Sequence, residues 1–139
     1  MKKLVMLLLT AVIATLTAAD ISIYDDGSGT GTTTWTSDNV YYLENMVFVN
    51  SGDTLTIEPG TVIKGRYSTG VDASALIVAR GGYGIFEGTE YAPIIFTSEY
   101  DDFSAPLETR GLWGGVIVLG AAELNSTEKV SQIEGIPET

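Results

Sequence analysis

Residues 54–65 read TLTIEPGTVIKG: a strand-forming run, a Pro-Gly corner, and a second strand-forming run closed by glycine. The pattern returns at residues 75–88, ALIVARGGYGIFEG, two residues longer, with the added glycine and tyrosine at the corner. The unit recurs about 21 residues along, from Leu55 to Leu76, a spacing typical of solenoids, in which each coil buries inward side chains and stacks on the next. The two units therefore predict a repeating coil.

Short runs rich in Val, Ile, Thr, Tyr and Phe continue this pattern, and after the N-terminal leader no window keeps a helical apolar period. The predicted strands lie at 40–43 and 46–49, around Thr56, Ile63, Ile77, Phe86 and Ile95, at 116–119 and, more weakly, at 122–124. Periodicity alone leaves a sandwich or barrel open. A parallel solenoid of two to three coils is favoured, because the corners are not the Asn-Gly or Asp-Gly type of hairpins. The sequence thus predicts an all-β chain.

Strand alternation predicts which side chains point into the solenoid, because successive residues of a strand face opposite sides. The predicted inward positions are Leu55, Ile57, Ile63, Leu76 and Val78, and the predicted outward positions are Thr56, Lys64 and Ile77.

The N-terminus has the pattern of a secretory signal peptide. A basic start, Lys2 and Lys3, precedes an apolar run at 4–16 and small residues at 17–19, so cleavage is expected after Ala19. The apolar run is shorter than the roughly 20 residues of a membrane span, and no cysteine is present for lipid attachment. We therefore expect a secreted or cell-surface protein with no membrane span after signal removal.

The rest of the chain divides into two predicted parts. Residues 20–34 are rich in Gly and Thr and predict a flexible lead-in. Residues 35–139 predict the N-terminal part of a β-helix domain, truncated at 139, whose open last coil can self-associate because exposed strand edges template pairing.

Composition excludes several classes of function. The net charge of −11 opposes long-range attraction to nucleic acid. The chain has no cysteine and no histidine, so disulfides and the commonest general base are absent.

Two groups of residues are candidates for binding. Glu99, Asp101 and Asp102 lie in an acidic excursion at 98–111, which predicts either a solvated loop or a calcium site. The spacing matches neither an EF-hand loop nor the glycine-rich nonapeptide calcium repeat. Trp113 and Arg110 are candidates for contact with a glycan. The two glycines beside Trp113 favour packing over a coil corner instead. No other cofactor is indicated.

Residues 47–65, 75–82, 93–98 and 110–115 together carry a resemblance. The chain resembles the N-terminal part of large exported proteins of Bacteroidetes-type bacteria, which fold as right-handed parallel β-helices and often end in a secretion sorting domain. The resemblance implies this fold and a cell-surface location, but it supplies no catalytic residues.

Two functional hypotheses follow. The first is a surface or secreted protein with a structural, adhesive or glycan-binding role, whose partners are glycans or other surface proteins. The alternative is part of a polysaccharide lyase or hydrolase, since such enzymes also use β-helices. The basic residues after the leader are scattered, which favours the first hypothesis. They are Lys64, Arg66, Arg80, Arg110 and Lys129.

Overall fold

The computed structural model describes residues 18–129, 131–133 and 135–136. Most of the predicted signal peptide, residues 1–17, lies outside these ranges. Ten strands and one short 3-10 turn, Gly70–Asp72, make up the regular structure of the described part. The strands are β1 Ala19–Tyr24, β2 Thr33–Trp35, β3 Asn39–Glu44, β4 Met46–Val49, β5 Thr54–Ile57, β6 Val62–Gly65, β7 Ala75–Val78, β8 Tyr83–Phe86, β9 Ile95–Ser98 and β10 Gly115–Val118. No helix within the described ranges is long and apolar enough to cross a membrane.

The strands form three parallel sheets. Sheet A has the order β1-β3-β6-β9, sheet B the order β2-β5-β8, and sheet C the order β10-β7-β4. The chain passes from sheet A to C to B and returns to A, so β3-β4-β5 and β6-β7-β8 are two complete coils with a partial coil on either side. Two paired strands of one sheet are joined by the rest of a coil, because parallel strands need a long crossover connection. The fold is a right-handed parallel β-helix, as predicted.

The coil step differs from the 21-residue repeat in the sequence. Successive coils place Val62 22 residues after Val40, Leu76 29 after Val47, Ile95 33 after Val62, and Val116 40 after Leu76. Leu55 and Leu76, which defined the repeat, lie in different sheets, B and C. The 21-residue repeat matched two similar strand-corner-strand units that lie at different corners of the coil. The predicted equivalence of Leu55 and Leu76 was therefore wrong, whereas the predicted solenoid was correct.

The interior contains the residues that alternation placed there. Leu55, Ile57, Ile63, Leu76 and Val78 all belong to one buried cluster. Fully burying such a side chain contributes about 1.5–3 kcal/mol.

Ile77 faces outward by alternation but has no exposed surface. On the neighbouring strands Phe48 and Ile117 stand in register on either side of it. Two large apolar neighbours on the same face of sheet C shield a central side chain, which alternation alone does not predict.

The predicted flexible lead-in is instead an ordered part of the solenoid. β1 pairs with β3 along its whole length, and β2 pairs with β5. Between them residues 25–31, here called the edge loop, run beneath β4. The Thr30 amide donates to the Phe48 carbonyl at 2.7 Å, and the Asp25 carboxylate accepts from the Phe48 amide at 2.9 Å.

Glycine allows the edge loop to approach the strand so closely. Gly29 has a φ of +76°, and a Cβ there would lie 2.9 Å from the Phe48 carbonyl oxygen. Positive φ is favourable only for residues without a Cβ. The Gly and Thr composition therefore encodes a close backbone contact, and residues 20–34, predicted as a flexible lead-in, include strand residues that pair with β3 and β5.

The opposite end of the solenoid leaves inward positions uncovered. Val116 and Val118 are in register with the buried Leu76 and Val78, yet they are 38% and 69% exposed. A cleft of about 480 Å³ adjoins Val118. The weak strand predicted at 122–124 does not form.

Candidate functional site

The outward side of sheet A brings polar and aromatic residues into two rows. The first row, set by strand register, is Ser22, Tyr42, Lys64 and Thr97. The second row is Tyr24, Glu44, Arg66 and Glu99. Tyr24 and Glu44 are in register within β1 and β3. Beyond the ends of β6 and β9 the pairing continues, because the Arg66 amide donates to the Leu43 carbonyl and the Glu99 amide donates to the Gly65 carbonyl. These rows, with Tyr67, Tyr100, Asp101 and Phe103, are called the sheet A face.

Arg66 joins two carboxylates on the second row. Its Nε donates to Glu44 Oε1 at 3.2 Å, and its Nη1 donates to Glu99 Oε2 at 2.9 Å. Glu99 Oε1 also accepts from the Tyr67 amide at 2.6 Å. This backbone donor, followed by the guanidinium, lowers the pKa of Glu99. The hydrogen bond that Arg66 donates to Glu99 is the main cause of the raised pKa of Arg66, so both groups stay charged.

Several aromatic rings lie on the sheet A face. The Arg66 guanidinium lies over the Tyr42 ring at 4.2 Å from its centroid, within cation–π range. The rings of Tyr67 and Tyr100 are tilted against each other with centroids 5.9 Å apart, and the two residues are 49% and 58% exposed. Phe103 is also about half exposed. An aromatic surface of this kind is open to a ligand.

Lys64 and Asp101 hold the loop that carries Phe103. Lys64 Nζ donates to the Asp101 carbonyl at 2.6 Å and lies 5.0 Å from the Phe103 centroid. The Asp101 carboxylate accepts from the Thr97 hydroxyl at 2.7 Å and from the Phe103 amide at 2.9 Å. The Thr97 hydrogen bond is the main reason that the pKa of Asp101 is lowered. Phe103 has a φ of 62°, uncommon for a bulky residue, and these contacts fix it.

The predicted calcium ligands do not converge. Glu99 binds Arg66 and Tyr67, and Asp101 binds its own loop. Asp102 accepts from the Ser104 amide and hydroxyl at 2.9 and 2.7 Å, and the hydroxyl bond chiefly lowers its pKa. Within the described part of the chain, no three carboxylates are grouped so that they could hold a metal ion. Calcium prefers six to eight oxygens around one point, and these three side chains point to separate donors.

Trp113 and Arg110 occupy different environments. Trp113 packs against the interior cluster and over Gly65, where an added Cβ would lie 2.7 Å from the tryptophan Cβ. Gly65 is in register with the buried Leu43 and Ser98, so Trp113 lies on the interior side of sheet A. Its contacts match the packing interpretation. Arg110 is exposed, with no side-chain hydrogen bond or ion pair to any residue that the structure describes.

The aromatic part of the site was not predicted from the sequence. A signal for it exists, because Tyr42 and Glu44 are two residues apart, Lys64 and Arg66 follow them by 22 residues, and Glu99 comes 33 after Arg66. This pattern can be recognised only when the spacing between residues in register on successive coils is known.

A family model described as a pectate-lyase like beta helix domain matches residues 27–137. The chain belongs to this family. The match to the pectate-lyase-like β-helix family confirms the predicted fold and spans β2 to β10, with both complete coils and most of the sheet A face. Searches of curated proteins and of solved structures gave no match.

Proposed function

We propose that this β-helix domain is a non-catalytic scaffold that binds a polysaccharide on the sheet A face. The observation that carries the proposal is the exposed pair Tyr67 and Tyr100 beside the Arg66–Glu99 ion pair. Aromatic rings supply rigid apolar contact area with a polar edge, which suits the alternating C–H and hydroxyl surfaces of a sugar ring. The adjacent charged groups supply hydrogen-bond partners for hydroxyls.

The geometry of the sheet also suits an extended ligand. Neighbouring parallel strands lie about 4.8 Å apart, so the four strands of sheet A span roughly 14 Å. The binding groups are thus spread along a line and do not enclose a small molecule. A polymer that lies across the strands contacts several of these groups at once.

The ionisation of the site favours binding over catalysis. A general acid that protonates a glycosidic oxygen needs a raised pKa, whereas the pKa of Glu99 is lowered. A proton-abstracting base needs a lowered pKa when it is cationic, whereas the pKa of Arg66 is raised. These directions support a fixed charged surface.

Substitution of the two tyrosines tests the proposal. Tyr67→Ala and Tyr100→Ala should each weaken polysaccharide binding about three- to tenfold, since an aromatic contact contributes roughly 0.5–1.5 kcal/mol. Binding is measured by affinity electrophoresis and calorimetry against a polysaccharide panel. The matched control is Tyr91→Ala, because Tyr91 is 93% exposed and outside the sheet A face. Equal effects at Tyr91, or no retardation by any polysaccharide, would contradict the proposal.

We also propose that the protein is exported. The basic start, apolar run and small residues before Asp20 support export, as does the resemblance to large exported β-helix proteins of Bacteroidetes-type bacteria. Expression in a bacterium with the natural leader should give an extracytoplasmic product that begins at Asp20. N-terminal sequencing checks this, and a cytoplasmic product with Met1 intact would refute it.

A further inference from the structure

We propose that the sheet A face selects uncharged polysaccharides and rejects acidic polyuronates. This inference rests on the proposed glycan-binding function and specifies its ligand class. It depends on the partners that the charged side chains of the face already have within the protein.

Both cations of the face are occupied by groups of the protein itself. Arg66 is engaged by Glu44 on one edge and Glu99 on the other. Lys64 donates to the Asp101 carbonyl and lies over Phe103. A uronate carboxylate would have to displace ligands that are tethered to the same fold and so have a high effective concentration. Recognition of a carboxylate by arginine normally uses two parallel N–H groups, and the Nε and Nη1 groups of Arg66 already donate to Glu44 and Glu99.

The face also carries more acidic than basic groups. The cations are Lys64 and Arg66, and the carboxylates are Glu44, Glu99 and Asp101. The whole chain adds a net charge of −11. An approaching polyanion therefore meets repulsion both locally and at long range. A neutral polymer meets neither, and it retains the contacts with Tyr67 and Tyr100.

Membership in a family described by likeness to pectate lyases therefore does not imply pectate recognition by this face. Two carboxylates of the face form ion pairs with Arg66, whereas a polyuronate site needs cations that are free to bind the ligand. Removal of the acids should convert one type of surface into the other.

The test compares neutral and acidic polymers on matched variants of the full chain. The probes are hydroxyethylcellulose and galactomannan as neutral polymers and polygalacturonate as the acidic one. The wild type should bind a neutral probe at least about tenfold more tightly than polygalacturonate at low salt. Neutral binding should change less than about twofold when salt is raised roughly tenfold, because screening acts on charge pairs.

The paired substitution Glu44→Gln/Glu99→Gln should create polygalacturonate binding by freeing the guanidinium, and added salt should abolish that new binding. The control Glu87→Gln/Glu90→Gln removes the same charge from exposed positions between β8 and β9 and should create none. Glu44→Gln alone, which frees one edge of Arg66, replaces the pair if the double variant does not fold by circular dichroism.

The outcomes separate this inference from the function on which it rests. If wild-type protein binds polygalacturonate and Tyr67→Ala/Tyr100→Ala removes that binding, the selectivity is refuted while glycan binding stands. If no probe binds, or binding ignores both tyrosines, the proposed function fails and the inference with it. If the glutamine pair gains no polygalacturonate binding, or gains no more than the control pair, the charge-compensation argument is overturned.

Discussion

Replacing Asp25 by alanine should uncouple the edge loop from β4. Asp25 Oδ1 accepts from the amides of Gly27 and Gly29 at 2.8 and 2.9 Å, and Oδ2 accepts from the Phe48 amide at 2.9 Å. One half-buried carboxylate thus closes the loop on itself and joins it to the strand above. Its loss leaves three backbone donors without their partner.

The expected magnitude follows from these three bonds. Each is taken as about 1 kcal/mol net, because water re-solvates part of the site once the side chain is removed. The free energy of unfolding should therefore fall by about 3 kcal/mol. With a urea slope of roughly 1–3 kcal/mol/M, the unfolding midpoint should fall by about 1–3 M.

Urea denaturation followed by tryptophan fluorescence measures the effect, since Trp35 is buried and stacked on Tyr41 at 4.9 Å. Hydrogen exchange should become faster at the Phe48 amide in the variant. Asp26→Ala is the matched control, because among the residues that the structure describes the Asp26 carboxylate accepts only from the amide and hydroxyl of Ser28. Equal midpoints for the two alanine variants would refute the view that Asp25 couples the edge loop to β4.

Three further predictions concern the interior, a close contact and the ion pair. Leu76→Asp should lower the urea midpoint strongly, because an unpaired charge among apolar side chains costs several kcal/mol, whereas Thr56→Asp on the outward face should have a small effect. Gly65→Ala should lower stability by about 1–3 kcal/mol and change the fluorescence of Trp113, which the new methyl group would displace; unchanged fluorescence would contradict the contact. Glu99 has a folded-state pKa below its usual 4.5, so the stability difference between wild type and Glu99→Gln should be complete above about pH 4.5 and disappear as pH falls through the lowered value; a difference that persists in acid would show that its charge is not responsible.

The fold was predictable because it depends on local patterns that each strand repeats. Glycine, proline and asparagine corners and short apolar strands identified the solenoid without its coil equivalences. Those equivalences were obscured because Leu55 lies beside Gly84 on the next coil, a position with no side chain to match. The ring of Phe86 lies where a Cβ of Gly84 would be, at 2.8 Å, so the apolar contact comes from two residues away.

The candidate site was only partly predictable, because its residues come from strands far apart in the chain. The acidic loop was recognised, and its carboxylates suggested calcium. Arg66 is 33 residues from Glu99 and becomes its partner only when sheet A assembles. Composition shows which charges are present, whereas the register of a sheet determines which of them meet.

The increasing coil step, from 22 to 40 residues, bears on how such a protein can change. The strands remain in register while the connections between them lengthen, and doubling a flexible connection costs only about 0.6 kcal/mol in closure entropy. Insertions at a sheet end can therefore accumulate with little effect on the stack, as at 67–74 and 99–114, where new side chains reach the surface. The ligand preference of such a solenoid can therefore change through its loops while the strand pairing stays the same. These loops are the natural positions for grafting a different specificity.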